Sequence, residues 1–430
     1  MQGNKPIIYK KLEVFSNENN DSVDIRGGVP VLEYRESVLS PYITIDLNII
    51  DAGTALPAKD KDGSRGTIGL LESIKLQADE KFKMILEDQY GNKIDLSEDT
   101  DLKVGKTSFA IRSNRQSSVS IRVVSKEAYD NTLLENRMVN SYLGKGDEII
   151  EEALKSLKTE KDLFADTTRN DIQFNGDKRY PFEMCLDVQK VSIPVGIKSA
   201  GFLFWETSKG YNFRSLDKMF DQTGKTIKKF VETGFASQKV LPEYNGKILK
   251  SNFTRINDTL KQFEDGAYKT ELDLFNPLNQ TLVHQTLDSF DYEKDSTLAG
   301  NNIPVLSDAY RNEATLDIHR TKDVGQKIIP GGGIADIDDT SFDIVSTSRQ
   351  SHQNYRQKFS ISLNIVIDAD LSLSAGDLVY CKFPETSQKP SVTGSTKDSG
   401  IYMIADLCHY STPTQAFTGL NLVRDSYGEK

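Results

Sequence analysis

The sequence predicts an α+β fold that is mainly β, with two similar antiparallel β-barrel domains and an α+β domain between them. Residues 359–367 (FSISLNIVI) alternate between apolar and polar side chains, which is the two-residue period of a half-buried strand. Residues 43–51 (ITIDLNIID) repeat this alternation and share the pattern Ile-x-Leu-Asn-Ile with it. Between them, residues 147–157 carry apolar side chains at helical spacing. The repeat therefore indicates a duplicated β unit with a mixed region inside it.

Composition and pattern divide the chain into segments. The predicted boundaries are 1–27 for a polar N-terminal arm, 28–126 for the first β-barrel, 127–249 for the α+β middle domain, 250–293 with 346–430 for the second β-barrel, and 294–345 for a weakly patterned excursion or insertion in that barrel.

The middle domain has its own predicted elements. We expect helices over residues 127–142 and 147–157, the second of them capped by Asp147. A strand is expected at 182–188, and an aromatic-rich strand pair is expected at 201–205 and 211–214, joined by a turn at Lys209-Gly210.

The composition is that of a polar globular protein. The chain has 430 residues, of which 37% are hydrophobic and 27% charged, a length sufficient for several domains with their own cores. It contains no apolar run of about 18 residues, so we expect no membrane-spanning helix and no stable membrane insertion. The N-terminus lacks the pattern of a secretion signal, and the three cysteines show no metal or redox spacing, which together favour folding in a reducing cytoplasm.

The net charge restricts the contact with nucleic acid. At −10, the chain is unsuited to gripping DNA through its phosphates, although a passage through which DNA slides remains compatible with this charge.

Motifs that carry chemistry are missing from the sequence. The four histidines are scattered without the spacing of metal ligands, and no serine lies in a nucleophile elbow. We therefore expect no catalytic residues, no bound metal, no cofactor and no enzymatic activity.

One aromatic cluster permits two interpretations. Phe202, Phe204, Trp205, Tyr211 and Phe213 could form a stacking platform for bases or sugars, or they could belong to a core or a subunit contact. The core or contact interpretation is favoured, because few basic residues are interleaved with them.

A succession of motifs carries a resemblance to a known family. These are SKEAY at 125–129, NSYLGKGDEII at 140–150, GFLFWETSKGYNFRSL at 201–216, DGAY at 265–268 with DLFNP at 273–277, and the closing segments 375–384 and 399–426. In order and spacing they resemble the central baseplate hub protein of contractile-tailed phages, of the T-even and cyanophage myovirus type. The resemblance covers most of residues 28–426.

The resemblance implies a structural function. Hub proteins of this family are homotrimers in which two tail-tube-like barrels per subunit make a pseudo-six-fold ring. Such a ring adapts the hexameric tail tube, or its initiator proteins, to a trimeric membrane-piercing spike and lets duplex DNA pass during ejection without tight binding. The implied location is the tail baseplate of a virion assembled in the host cytoplasm. On this hypothesis, the spike is a separate polypeptide.

Two alternatives to the phage hub remain. The chain could be the hub part of a contractile secretion or tailocin machine, or it could be a carbohydrate-binding adhesin module. For the hub, the polar alternate residues of the two repeated strands are candidates for the wall of the passage, and contact with solvent or a neighbouring subunit is an equally good interpretation. These residues are Thr44, Asp46, Asn48, Ser360, Ser362 and Asn364.

Overall fold

The computed structural model confirms the predicted fold class, because the chain is mainly β, with large antiparallel sheets and an α+β region between the β-rich parts. The structure describes residues 5–17, 22–51, 56–59, 65–68, 76, 79–97, 102–112, 117–197, 199–232, 246–255, 258–276, 281–288, 296–304, 307, 344–384 and 397–428. The division into domains at the boundaries given above stays a prediction.

The described elements follow the chain in three groups. The first group comprises β1 Ile8–Phe15, β2 Ser22–Asp24, β3 Val31–Ser37, β4 Thr44–Asp51, β5 Leu56–Lys59, β6 Arg65–Ile68, β7 Lys81–Glu87, β8 Lys93–Leu96, β9 Leu102–Arg112 and β10 Ser117–Ser125. The middle group comprises α1 Lys126–Asp130, β11 Ser141–Lys145, α2 Gly146–Ser156, β12 Leu163–Ala165, β13 Asp171–Asn175, α3 Pro181–Val191, β14 Phe202–Thr207, β15 Gly210–Ser215 and α4 Leu216–Met219. The last group comprises β16 Lys228–Val231, β17 Ile248–Arg255, α5 Thr259–Glu264, β18 Lys269–Asn276, β19 Thr281–Asp288, α6 Ile344–Lys358, β20 Ile361–Asp368, β21 Leu378–Lys382, β22 Gly400–Ser411 and β23 Ala416–Arg424.

One 14-stranded sheet joins the two β-rich parts. Its strands lie in the order β17-β20-β23-β22-β3-β4-β10-β9-β7-β1-β2, with β8, β16 and β21 attached beside this path. We call β3, β4, β7, β9 and β10 the first unit, and β17, β20, β21, β22 and β23 the second unit. When the strands of each unit are numbered in chain order, both units have the same spatial order, 1-2-5-4-3. The same topology thus occurs twice in one sheet.

The two units also share a β-bulge on their fourth strands. In β9 the bulged residue is Gly105, which lies between Val104 and Lys106 in the pairing with β10. In β22 the corresponding residue is Ala405, in the pairing with β23. Bulges fix the local register and twist of a strand, so this shared irregularity aligns the two fourth strands from the bulge as far as Phe109, after which β9 has a second bulge that β22 lacks.

The apolar faces of both units pack into one hydrophobic core. Ile45 and Leu47 of β4 and Leu363 and Ile365 of β20 are all buried in this core, as the sequence alternation predicts. Burying each such side chain stabilises the fold by about 1.5–3 kcal/mol. The opposite face of the sheet carries the polar alternate residues.

Helix α3 replaces the strand predicted at 182–188. Its buried side chains include Phe182, Cys185, Val188 and Val191, which recur at intervals of three. Pro181 occupies the first turn, where its missing N–H costs nothing. The helix packs on α2 and the sheet of β12, β15 and β14 in a second core.

Two further expectations for the middle domain are corrected. Only Lys126–Asp130 forms an α-helix within the predicted helix at 127–142, and Ser141–Lys145 is a strand paired with β13. Helix α2 forms where it is predicted, but Lys145 is its N-cap and Glu148 accepts the N–H of that residue at 3.1 Å. The carboxylate of Asp147 instead accepts the Thr168 hydroxyl at 2.6 Å.

The N-terminal segment and the β18–β19 hairpin also differ from expectation. Ile8–Phe15 is a strand of the large sheet, paired with β7, and its Leu12 and Val14 are fully buried, so this part of the predicted arm is built into the sheet. Strands β18 and β19 pair with each other in a separate two-stranded sheet. Helix α6 begins at the end of the predicted excursion and lies mostly in the segment from residue 346 that was predicted to belong to the second barrel.

A buried ion cluster holds α6 against the second unit. The Lys358 ammonium is fully buried and lies 2.9 Å from the Asp425 carboxylate and 3.2 Å from that of Asp217. Burial alone would raise the pKa of Asp425, but the neighbouring Lys358 charge and hydrogen bonds hold it below its ordinary value.

Replacing Lys358 should strongly destabilise the protein. The substitution Lys358→Met leaves two buried carboxylates without their cation, so we expect the free energy of unfolding to fall by about 3–5 kcal/mol in urea denaturation. Lys190→Met serves as the control, because the pair of Lys190 with Asp187 is solvent-exposed and is expected to contribute less than about 1 kcal/mol. Equal losses for the two variants would contradict this assignment.

Candidate assembly interface

Five of the six predicted wall residues lie on the polar face of the large sheet. Thr44, Asp46 and Asn48 are half-buried on β4, with their side chains opposite the core. On β20, Ser362 is half-buried and Asn364 is exposed. The structure thus brings the polar alternate residues of both repeated strands into one sheet.

Ser360 does not belong to this face. It precedes β20, is only 2% exposed, and donates its hydroxyl to the Arg424 carbonyl at 3.4 Å. The chain leaves helix α6 two residues earlier, so Ser360 is covered by the helix end. Ser360 therefore does not share the polar face with the other five residues, and the role of the set in a passage wall or an interface stays a prediction.

The strand register shows that both units present this face on the same side. Asn364 pairs with Asn421, Asn421 with Asp406, and Asp406 with Ser37 across the boundary between the units. Directly paired residues point to the same side of a sheet, so a continuous polar row crosses both units.

Hydrogen bonds and ion pairs order this polar face. The Arg122 guanidinium donates to the two Asp46 oxygens at 2.7 and 3.1 Å, and Arg35 lies 3.8 Å from the same carboxylate. At the boundary, Asp406 accepts the Asn421 amide at 2.7 Å and the Ser37 hydroxyl at 2.5 Å. These groups are partly solvated, so they orient side chains more than they add stability.

The charge of this face differs from the charge of the chain. The rows through Thr44, Asp46 and Asn364 contain more basic than acidic residues. They carry Arg35, Lys81, Lys103, Lys106, Arg122 and Lys250 against Glu33, Asp46, Asp368 and Asp406. The excess that gives the chain −10 is carried elsewhere.

The pairing of β3 with β22 joins the two units. It is antiparallel and runs from Ser37 opposite Asp406 to Leu32 opposite Ser411. We call this pairing the unit junction. It connects the first strand of the first unit to the second half of the fourth strand of the second unit.

A buried carboxylate, Glu36, connects the unit junction to the middle domain. Its Oε1 accepts the Tyr34 hydroxyl at 2.6 Å and the Ser208 N–H at 2.9 Å, and its Oε2 accepts the Ala375 N–H at 2.9 Å. These donors belong to the first unit, the β14–β15 turn and the second unit. Burial raises the pKa of Glu36 to about 7, despite the hydrogen bonds that favour the carboxylate.

Glu36 is not among the site residues predicted from the sequence, although the sequence contains a signal for it. In β3 the inward-facing series is Leu32, Tyr34, Glu36 and then Val38, all of them buried. A carboxylate in an inward-facing series requires buried donors, so its position in the alternation indicates a packed polar contact.

A second buried cluster fixes the middle domain to the first unit. The Lys161 ammonium lies 2.6 Å from both Glu127 and Glu206. Glu206 also accepts the Ile43 N–H at 3.0 Å and the Ser125 hydroxyl at 2.5 Å. Burial lowers the pKa of Lys161, but the two carboxylates outweigh it and the net direction is upward. This cluster thus connects the middle domain to the residue before β4, Ile43, and to the last residue of β10, Ser125.

The aromatic cluster belongs to the core. Phe202, Phe204, Trp205, Tyr211 and Phe213 are each at most 2% exposed. Phe204 stacks on Tyr211 with ring centroids 5.5 Å apart, and the Trp205 indole N–H donates to the Ala375 carbonyl at 3.1 Å. The core interpretation is confirmed. The rings are buried, so they cannot serve as a stacking platform for bases or sugars.

The described part of the chain contains no metal site and no membrane-spanning helix. No group of three or more His, Cys, Asp or Glu residues there has the geometry of a metal site. None of the helices described is both long and apolar enough to cross a membrane. The three cysteines are free thiols.

Comparison with solved structures finds this fold in phage tail proteins. The tail protein from Neisseria meningitidis MC58 matches with a TM-score of 0.53 at 9% identity, over 98% of this chain and 97% of that chain. The 43 kDa tail protein of prophage MuSo2 from Shewanella oneidensis matches with a TM-score of 0.50 at 9% identity, over 97% of this chain and 98% of that chain. A type VI secretion system component of E. coli reaches only 0.38 at 10% identity, over 98% of this chain and 78% of that chain, a likeness too weak to argue from.

No protein-family model matches the chain, and no curated protein matches its sequence. At 9% identity, the structural matches establish a shared fold and nothing more. The chain thus has the fold of these phage tail proteins over nearly its whole length.

The pKa of Glu36 predicts a specific dependence of stability on pH. Because this pKa lies above the ordinary value of 4.5, the folded protein binds more protons than the unfolded protein between pH 4.5 and about 7. Stability is therefore lost as the pH rises through this window, by about 2 kcal/mol between pH 5 and pH 7. The variant Glu36→Gln should lack this part of the decline in urea unfolding.

The control for this experiment is Glu33→Gln, a change on the solvent side of the same strand, which should keep the wild-type decline. If Glu36→Gln and wild type decline in parallel, Glu36 is ionised throughout the window and our assignment of its pKa is incorrect.

Proposed function

We propose that this chain is a structural hub protein of a phage tail baseplate, with an assembly role and no enzymatic one. In this proposal, three copies form a pseudo-six-fold ring that adapts the hexameric tail tube, or its initiator proteins, to a trimeric membrane-piercing spike. The observation that carries the proposal is the duplicated 1-2-5-4-3 strand order within one sheet, joined edge to edge at the unit junction.

Symmetry connects this observation to the function. A closed ring of identical chains places the same surfaces in contact around its axis. A chain with two units of one topology gives six similar positions from three copies. Such a ring could meet a six-fold tube on one face and a three-fold spike on the other. The phage tail fold supports a location in the virion tail, after assembly in the host cytoplasm.

The polar face of the sheet is the proposed lining of the DNA passage. Its carboxylates and guanidinium groups neutralise each other, as Asp46 does with Arg35 and Arg122. Such ion pairs reduce the number of free cations that could release counterions from a phosphate backbone, and we propose on this ground that DNA slides without being held.

The two other functions make different demands. The hub of a contractile secretion or tailocin machine would use the same ring, and the particle with which the protein copurifies distinguishes it from a phage hub. A carbohydrate-binding adhesin would need exposed aromatic rings, and the main aromatic cluster is buried. The hub is therefore favoured over the adhesin.

Oligomeric state tests the proposed hub directly. We expect native mass spectrometry to show three subunits of 48.1 kDa, either for the protein alone or after addition of its spike. The separate addition of the spike distinguishes a ring that closes alone from one that needs its partner. A strictly monomeric protein under both conditions would count decisively against the hub.

Binding of duplex DNA tests the proposed lining. We expect the wild-type ring to bind more weakly than micromolar in gel-shift titration at physiological salt. Asp46→Asn removes the carboxylate partner of Arg122, while Arg35 keeps its pair with Glu33, so affinity should rise about tenfold and fall steeply with salt.

Asp187→Asn is the matched control for the DNA experiment. Asp187 also bridges two cations, Arg179 and Lys190, but it lies on helix α3 of the middle domain. The substitution Asp187→Asn changes the net charge by the same amount as Asp46→Asn, but at a position away from the polar face. It should therefore leave DNA affinity unchanged. Equal increases for both variants would mean that overall charge, rather than this face, sets the affinity.

A further inference from the structure

Two strands of the large sheet have open sides in the described part of the chain. Strand β9 pairs with β10 along its length but with β7 only at Leu102 and Lys103, and Val104 then donates its N–H to the Glu80 carbonyl at 2.9 Å. Beyond the bulge at Gly105, the structure describes no strand on that side of β9. Strand β17 similarly has β20 as its ladder partner on one side.

The unit junction shows what such an open side can accept. Strand β22 is the counterpart of β9, and its first half pairs with β21 as β9 pairs with β7. On the same side, the second half of β22 pairs with β3, the first strand of the other unit. The strand equivalent to β3 in the second unit is β17.

We infer that β17 of one subunit pairs antiparallel with the open half of β9 in the next subunit, so that the ring is closed by three such intersubunit junctions. This inference rests on the trimer proposed above and specifies its interface. The two kinds of junction would then alternate around the ring, one within each chain and one between neighbouring chains. The path from β17 to β9 contributes eight strands per subunit to one closed sheet.

The bulges determine the register on the β9 side. At the unit junction His409 pairs with Tyr34, and His409 lies four residues after the bulged residue of β22. Phe109 lies four residues after the bulged residue of β9, so it takes the position of His409.

The pairing with the second strand determines the register on the β17 side. Tyr34 pairs with Ile45 of β4, whose equivalent on β20 is Leu363. The partner of Leu363 on β17 is Phe253, which thus takes the position of Tyr34. The expected register places Phe253 opposite Phe109. Thr254, the next residue, is bulged out of the pairing of β17 with β20, and since the strands of the junction are antiparallel, Ser108 is the residue of β9 expected nearest to it.

The exposure of these strands favours covering by a second copy. Lys250, Asn252 and Thr254 of β17 are exposed, as are Lys106 and Ser108 of β9. Unpaired strand edges are sites of uncontrolled association, and closing a sheet into a ring removes them. The intersubunit junction would cover both edges with the geometry already used at the unit junction.

Engineered cysteines test this register. The double variant Ser108→Cys with Thr254→Cys is made in a Cys408→Ser background, because Cys408 lies on the same face. Directly opposed residues of antiparallel strands have Cα atoms about 4.5–5.5 Å apart, within disulfide reach. After mild oxidation, we expect most subunits to run as a covalent trimer on a non-reducing gel, and as a single chain after reduction.

Matched variants control for reach and reactivity. Ser120 pairs with Ser108 on the neighbouring strand β10, so Ser120→Cys with Thr254→Cys places the thiols one strand further apart and should not link. In the otherwise wild-type chain, Arg35→Cys should form an intrachain disulfide with Cys408, its partner at the unit junction.

The outcomes separate this inference from the proposed function. A trimer in native mass spectrometry without the Ser108–Thr254 link overturns the intersubunit pairing and leaves the hub proposal intact. A monomer without any link overturns both. Hydrogen–deuterium exchange on the wild-type protein needs no substitution. Amides of β17 and of residues 106–111 should exchange at least tenfold more slowly in the trimer than in the monomer obtained by dilution, and equal rates would also overturn the inference.

Discussion

The pairing of β3 with β22 is the constraint on which the rest of this structure depends. It joins strands from opposite ends of the chain, since Ser37 and Asp406 are 369 positions apart. Without it, the two units would be separate sheets with separate cores. With it, the apolar faces merge into one core and the polar faces merge into one surface. Within the described part of the chain, it also determines which strand edges are left without a ladder partner, namely the outer side of β17 and the side of β9 beyond Gly105. The ring proposed above thus depends on one strand pairing.

Buried charged groups hold the three parts of the chain in a defined orientation. Glu36 accepts donors from all three parts, and the clusters around Lys161 and Lys358 lie at two further boundaries. Apolar contacts alone tolerate sliding, since the hydrophobic effect has no preferred direction. A buried carboxylate stabilises the fold only when its donors are in place, and the desolvation cost makes any other arrangement unfavourable. These groups therefore give the orientation of the parts a specificity that the core does not supply, which a rigid ring component would require.

The sequence predicted those elements whose pattern is local. Strands β4 and β20 follow from strict alternation, and α2 follows from helical spacing. Helix α3 was mistaken for a strand because Phe182, Met184, Leu186 and Val188 are spaced by two, and the start signal of Pro181 was overlooked. The sequence also predicted an alignment of the two repeated strands that is two residues out of register with the structure. The shared letters align Asn48 with Asn364, whereas the register at the bulges aligns Asp46 with Asn364. A shift of two keeps every residue on its face, so the candidate residues other than Ser360 lie on the polar face under either alignment. The unit junction itself could not be predicted from the sequence, because no local pattern specifies a strand partner so distant in the chain.

The two units keep one backbone topology and differ in their side chains, which determines the symmetry that a ring of three would present. In the first unit, the polar row next to the bulge reads Glu33, Asp46, Arg122, Lys106, and it is held by ion pairs. In the second unit, the equivalent row reads Asn252, Asn364, Asn421, Asp406, which is mostly amides. Backbone hydrogen bonds depend little on side-chain identity, so the strands of such a ring could remain close to six-fold symmetric. Charge depends entirely on side-chain identity, so the potential along its inner face would alternate between the two units and be three-fold. Linking two units in one chain allows this divergence, because a ring of six identical chains would have to change all six positions together. A six-fold partner can then be recognised through backbone shape while a three-fold partner is recognised through charge.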